Sequence, residues 1–129
     1  GPIIIENSIS YSKSKDLLND RPLRHTPPLF GKFSFTYSKK KHQIGYFLSY
    51  NGKKQLKNFS ISELNKLYLY TETGSPSWIT HNFFYKLNYN YFINFDFGID
   101  NIFDIHYRTY SSGISAPGRN IRLGLNLKF

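Results

Sequence analysis

Apolar and polar residues alternate along this chain in separate blocks, most cleanly at its end. Ile121, Leu123, Leu125, Leu127 and Phe129 share one parity, and Asn120, Arg122, Gly124, Asn126 and Lys128 share the other. Successive strand side chains point to opposite faces, so the block predicts one strand with an apolar and a polar surface, running to Phe129. Near the start, Ile5, Asn7, Ile9 and Tyr11 alternate with Glu6, Ser8, Ser10 and Ser12, a first strand. Gly31, Phe33, Phe35 and Tyr37 then alternate with Lys32, Ser34, Thr36 and Ser38. After a short Lys39–Lys41 turn, Ile44, Tyr46, Leu48 and Tyr50 alternate with Gln43, Gly45, Ser49 and Asn51, with Phe47 an intruder on the polar side. A strand over 77–87 carries Ile79, Phe83, Tyr85 and Leu87, interrupted by His81, against Thr80, Asn82 and Lys86. Beyond the turn Asn88-Tyr89-Asn90, Tyr91, Ile93, Phe95, Phe97 and Ile99 alternate with Asn94, Asp96, Gly98 and Asp100. The blocks predict an all-β, antiparallel, up-and-down array of about six strands.

The connections alternate in length. Those at 39–41 and 88–90 are tight, whereas 13–26, 52–76 and 103–118 are long. In an up-and-down sheet all tight turns then fall at one end and all long loops at the other. Transmembrane β-barrels have this asymmetry, with short periplasmic turns and longer outer loops, and their strands are about nine to eleven residues long. Within 52–76, the run Ser62 to Leu67 predicts a helical turn with Ser62 as its N-cap.

Composition sharpens this picture. Aromatic residues make up 19% of the 129 residues, yet mean hydropathy is only −0.46. A wall with one lipid face and one polar face gives that pairing, because the two faces cancel in any average. No run approaches the roughly twenty apolar residues of a membrane helix. Cysteine is absent, which excludes disulfides, thiolate metal sites and cysteine nucleophiles. The net charge of +9 raises nucleic-acid binding. The aromatic residues, however, lie on a lipid-type ladder and not in an RNA-binding motif, and the lysines of 39–41 and Lys53, Lys54 and Lys57 read as solvated turn and loop charge.

Several segments together resemble the C-terminal end of TonB-dependent outer-membrane receptors. They are Asn101-Ile102-Phe103-Asp104 with Tyr107 and Tyr110, then Ser112-Gly113, Ala116-Pro117-Gly118-Arg119, and a last strand ending in Phe129. Pro76-Ser77-Trp78 with Thr80 resembles the lead-in to the family's preceding barrel strand, and Arg21-Pro22-Leu23, Pro27-Pro28 and Gly31 resemble strands further upstream. The resemblance implies residues 3–129 as one C-terminal barrel segment with the plug domain and upstream strands absent, and Gly1-Pro2 ahead of it reads as the scar of tag removal. It implies a bacterial outer-membrane location and energised uptake of a scarce ligand such as a siderophore, haem or cobalamin. Implied partners are the rest of the barrel and plug, the barrel-assembly machinery, TonB indirectly through the plug, and outer-membrane lipid, with no nucleic acid. A barrel-assembly client or partner-bound fragment with an interaction role is the alternative.

Candidate site residues follow from the same resemblance. Arg122, Gly124, Leu127 and Phe129 resemble the assembly signal on the last strand, read by strand pairing. Arg24, His25, Tyr68, Tyr70, Tyr107, Arg108 and Tyr110 sit in the long loops, where such receptors meet ligand and where function concentrates. His81 and His106 stand alone without metal-ligand spacing. Asp96, Asp100 and Asp104 read as polar-face charge, and Asn101 to Asp104 as a strand exit shaped by side chain–backbone bonds. No Ser-His-Asp arrangement, phosphate-cradling glycine loop or zinc helix is present, so no catalytic, cofactor or metal residue is assigned and an enzyme is not expected.

Overall fold

The computed structural model describes residues 2–129; Gly1, half of the pair read as a tag scar, lies outside the described residues. One six-stranded antiparallel sheet is built from β1 (Ile3–Ser10), β4 (Phe30–Lys39), β5 (His42–Asn51), β8 (Trp78–Asn88), β9 (Ile93–Asp100) and β10 (Asn120–Leu127), in that order. Each strand pairs with its neighbour in the sequence, as the alternating blocks predict. Two short ladders decorate the loops: β2 (Lys15–Asp16) with β3 (Arg21–Pro22), and β6 (Lys54–Gln55) with β7 (Gly74–Ser75).

Register converts the alternation of single strands into two opposed faces. Ile5, Phe35, Tyr46, Phe83, Ile99 and Ile121 are successive cross-strand partners, an apolar row spanning the whole sheet. On the opposite face Ser38, Gln43, Lys86, Asp96 and Gly124 form a polar row in the same way. Aromatic residues also occur on the polar face, and the two at mid-strand, Phe84 and Phe47, are each accommodated. The Phe84 ring occupies the space above its cross-strand partner Gly45, where any Cβ would collide with it. Phe47 lies under the Lys32 ammonium, 4.4 Å from the ring centroid, a cation–π contact.

Among the described residues no layer covers the apolar face. Ile5 is 63% and Leu123 82% exposed, whereas the only large hydrophobic residue buried among those described, Phe59 at 3%, sits in a loop. A soluble sandwich would place these ladders against a second sheet. Here the sheet is a wall without a core of its own.

Three strand ends and the helix start differ from the sequence reading. β1 stops at Ser10 and does not reach Ser12, because continued register (Ser10 against Phe30) would place Ser12 opposite Pro28, which has no N–H to donate. β9 begins at Ile93 and not at Tyr91. The Asn90 side chain captures the backbone N–H groups of Phe92 (2.9 Å) and Ile93 (2.8 Å), extending the turn. β10 ends at Leu127, opposite Ile93. Lys128 donates one further bond to the Phe92 carbonyl, leaving Phe129 beyond the ladder and fully exposed. The helical turn is α1 (Ile61–Leu64), capped by Ser60 and not Ser62.

Candidate functional site

Three long connections emerge from one end of the sheet: 11–29 after β1, 52–77 after β5 and 101–119 after β9. They fold onto one another as a cap. Its centre is Glu63, the third residue of α1, which sits in a capping box because Ser60-Ile61-Ser62-Glu63 has the Ser-x-x-Glu spacing. The Glu63 carboxylate accepts hydrogen bonds from the Ser60 backbone N–H (2.8 Å) and hydroxyl (2.7 Å). It also accepts from the His25 backbone N–H (2.8 Å) in the first loop and the Ser111 hydroxyl (3.1 Å) in the third. One buried carboxylate therefore ties all three loops.

Electrostatics follows from this geometry. Burial alone would raise the Glu63 carboxyl, but the donors from Ser60 and His25 overcome it and hold it down to about 2. Burial pushes the Lys54 ammonium downward, opposed by the Glu63 charge. Lys54 is 7% exposed, so it is not the solvated loop charge that the sequence suggested. Its ammonium donates to the Thr26 carbonyl and stands 4.2 Å from the Tyr110 ring centroid. Tyr110 and Tyr70 pack edge-on against Phe59, at 5.7 and 4.7 Å between centroids. The Tyr110 hydroxyl is buried against Glu63 without a hydrogen bond of good geometry, and burial and that negative charge both raise its pKa.

A cleft of about 300 Å³ opens between the second and third loops. Of the candidate ligand-facing residues, Tyr68, Tyr70, Tyr107 and Arg108 line it, together with Trp78 and His106. Trp78 packs against Tyr107 with the rings tilted, 4.4 Å between centroids, and donates its Nε1–H to the Arg108 carbonyl at 3.1 Å. Arg108 donates Nη1–H to the Leu69 carbonyl at 2.9 Å, and its Nε is buried with no partner among the described residues. Tyr68 is exposed at the cleft. Tyr110 turns into the cap, and Arg24 and His25 are exposed outside the cleft; His25 contributes its backbone at a positive φ of 58°.

The third loop leaves the sheet as the Asn101 to Asp104 motif suggests. Asn101, at φ 49°, donates from Nδ2 to the Ile105 carbonyl (2.9 Å) and accepts from the Ile105 N–H (3.0 Å). Its own N–H donates to the Asn82 side chain at 2.9 Å, and Asp104 accepts from the Arg119 N–H at 2.7 Å. His81 bonds the Tyr46 hydroxyl and meets Phe103 edge-on, while His106 bonds Ser115. Among the described residues no three His, Cys, Asp or Glu side chains group as a metal site requires.

On β10, Arg122 grips Asp100 with two bonds of 2.6 and 3.0 Å, and Gly124 stands opposite Asp96. Leu127 is the last paired residue and Phe129 lies past it. Among the described residues neither the far edge of β10 nor that of β1 has a partner strand. Sequence reasoning missed Glu63, Lys54, Phe59 and Trp78. Only Glu63 carried a local signal, the Ser-x-x-Glu box.

No described protein family matches the sequence, and no curated protein is similar to it. Solved structures do share the fold, 26 chains in all. One is described as Copper transporter OprC, with a TM-score of 0.80 and 18% sequence identity over 100% of this chain and 21% of that one. The chain thus spans about a fifth of that protein's length. At this identity the likeness establishes the arrangement of strands, a segment of β-barrel wall.

Proposed function

We propose that this chain is a wall segment of an outer-membrane β-barrel transporter of the TonB-dependent receptor class. It supplies C-terminal barrel strands and outer loops for the uptake of a scarce ligand such as a siderophore, haem or cobalamin. The observation that carries the reading is the two-faced sheet: an unbroken apolar row from β1 to β10, uncovered by any other described residue, opposite a polar face. Water does not tolerate an apolar surface of that extent, whereas lipid requires it. Strands of eight to eleven residues and loops gathered at one end agree with a membrane wall. The capped loops then face outward and present the Tyr68–Arg108 cleft to arriving ligand. Full coverage of the chain by one fifth of a transporter supports its being part of a larger barrel.

Size-exclusion chromatography with light scattering, with and without detergent and beside far-UV circular dichroism, tests this. The expected result is a β-rich species only in detergent, lipid or complex with other chains. A monodisperse β-rich monomer in plain buffer overturns it. The open outer edge of β10, with its row of unpaired backbone groups, favours a second role in that same parent: recognition by the assembly machinery through strand addition.

A further inference from the structure

The tight-turn end of the sheet carries a feature that the uptake reading does not use. Lys39 continues the row of Phe33, Phe35 and Tyr37, so the apolar face ends in a cation paired across the sheet with His42. Lys41, in the turn, donates to the Tyr89 carbonyl at 2.6 Å and holds its ammonium 5.5 Å from the Tyr89 ring centroid. Lys128 stands 5.5 Å from the Tyr91 ring centroid in the same manner. Tyr89, Tyr91 and Phe92 are exposed, by 54%, 77% and 54%. Lys39, Lys40, Lys41 and Lys128 are exposed as well.

No carboxylate side chain balances this charge. Residues 37–44, 85–93 and 125–129 contain neither Asp nor Glu. The salt bridges among the described residues, Lys15–Asp20 and Arg122–Asp100, lie elsewhere. Asp96 and Glu6 belong to the polar face and accept from Asn126 at 2.7 Å and from the Ser34 hydroxyl at 3.3 Å, respectively. The acidic residues of the loops, Asp16, Asp20, Glu63, Glu72 and Asp104, sit at or beyond the opposite end of the strands.

We propose that this rim is a binding belt for the phosphate groups of anionic phospholipids in the leaflet it meets. The proposal rests on the wall-segment reading, which sets the rim at headgroup depth. Phenol rings sit stably where acyl chains give way to headgroups, and the lysines beside them extend toward the phosphate layer. Each lysine near an anionic surface is worth about fivefold in association, an effect that salt screens.

The test uses the 129-residue chain refolded into phosphatidylcholine vesicles containing trace spin-labelled phosphatidylglycerol or phosphatidylcholine. Electron spin resonance reads the fraction of each probe immobilised against protein. The expected result is a preference for phosphatidylglycerol of about fivefold or more, suppressed by salt. It falls to near parity in K39Q/K40Q/K41Q/K128Q and persists in the loop-end control R21Q/R24Q/K53Q. Equal association in the unsubstituted chain, a preference surviving the quadruple substitution, or one abolished by the control overturns the belt. Loss of immobilised lipid for both probes in the unsubstituted chain means that it is not embedded, and the wall-segment reading falls too. Immobilised lipid without preference removes the belt alone. If the quadruple variant fails to fold, the preference and salt response of the unsubstituted chain still decide.

Discussion

Replacing Glu63 with alanine removes the carboxylate whose hydrogen bonds join all three long loops. The His25 and Ser60 N–H groups, which donate to it at 2.8 Å each, lose their acceptor in a site shielded from water. Each stranded buried donor costs about 1–3 kcal/mol, and loss of an N-terminal cap about 1 kcal/mol. The carboxyl's pKa gives a second measure. Its fall from 4.5 to about 2 corresponds, at about 1.4 kcal/mol per pKa unit, to about 3 kcal/mol. Because the loops can relax around the smaller side chain, the lower part of these ranges applies, about 2–3 kcal/mol. Glutamine keeps one acceptor oxygen, so Glu63→Gln retains the capping box or the His25 bond but not both, and falls between. Amide hydrogen exchange in detergent measures the effect, since local opening sets the rate. The His25 and Ser60 amides should exchange about 30- to 150-fold faster in Glu63→Ala, with amides of β5 and β8 unaffected. The pH dependence has a fixed sign. A carboxyl lowered on folding stabilises the cap fully above about pH 4.5, and the contribution disappears as pH falls through about 2. Exchange unchanged within about threefold in Glu63→Ala would refute the claim that this carboxylate ties the loops.

Three further outcomes are expected. Leu125→Lys places a charge mid-strand on the apolar face and should cost about 2–4 kcal/mol of folding in lipid, while Thr36→Lys on the polar face costs under about 1 kcal/mol; urea titration in vesicles compares them, and equal penalties would contradict the assignment of faces. Gly45→Val should destabilise by about 1–3 kcal/mol through collision with the Phe84 ring, and Phe84→Ala in the same chain should recover part of the loss, a coupling that a double-mutant cycle measures. Asn101→Ala forfeits the side-chain bonds to Ile105 while keeping a residue at φ 49°, so it should cost about 2–3 kcal/mol, and Asn101→Gly less because glycine accepts that backbone freely. An Asn101→Gly variant no more stable than Asn101→Ala would argue against backbone strain at this exit.

The sequence by itself determined the wall. Alternation of period two assigns each residue of a strand to a face without reference to its neighbours, so Ile121 to Leu127 declare their surface before any partner is known. Turn lengths add the up-and-down order, because short links allow only adjacent antiparallel strands. What the sequence could not decide were features that depend on what stands opposite. β1 stops where Pro28 would have to donate, and β9 starts late because Asn90 holds two N–H groups. Phe84 looks misplaced until Gly45 is found beneath it. The loop cap lay furthest out of reach. Glu63 announces a helix start through Ser60, yet its bonds to His25 and Ser111 span 38 and 48 residues. Loops carry no periodicity to place such partners, so Tyr110 reads as ligand-facing although it packs on Phe59 inside the cap, while Tyr70 packs on Phe59 and also lines the cleft. Strand faces are local properties of the chain, and a loop's surroundings are properties only of the folded whole.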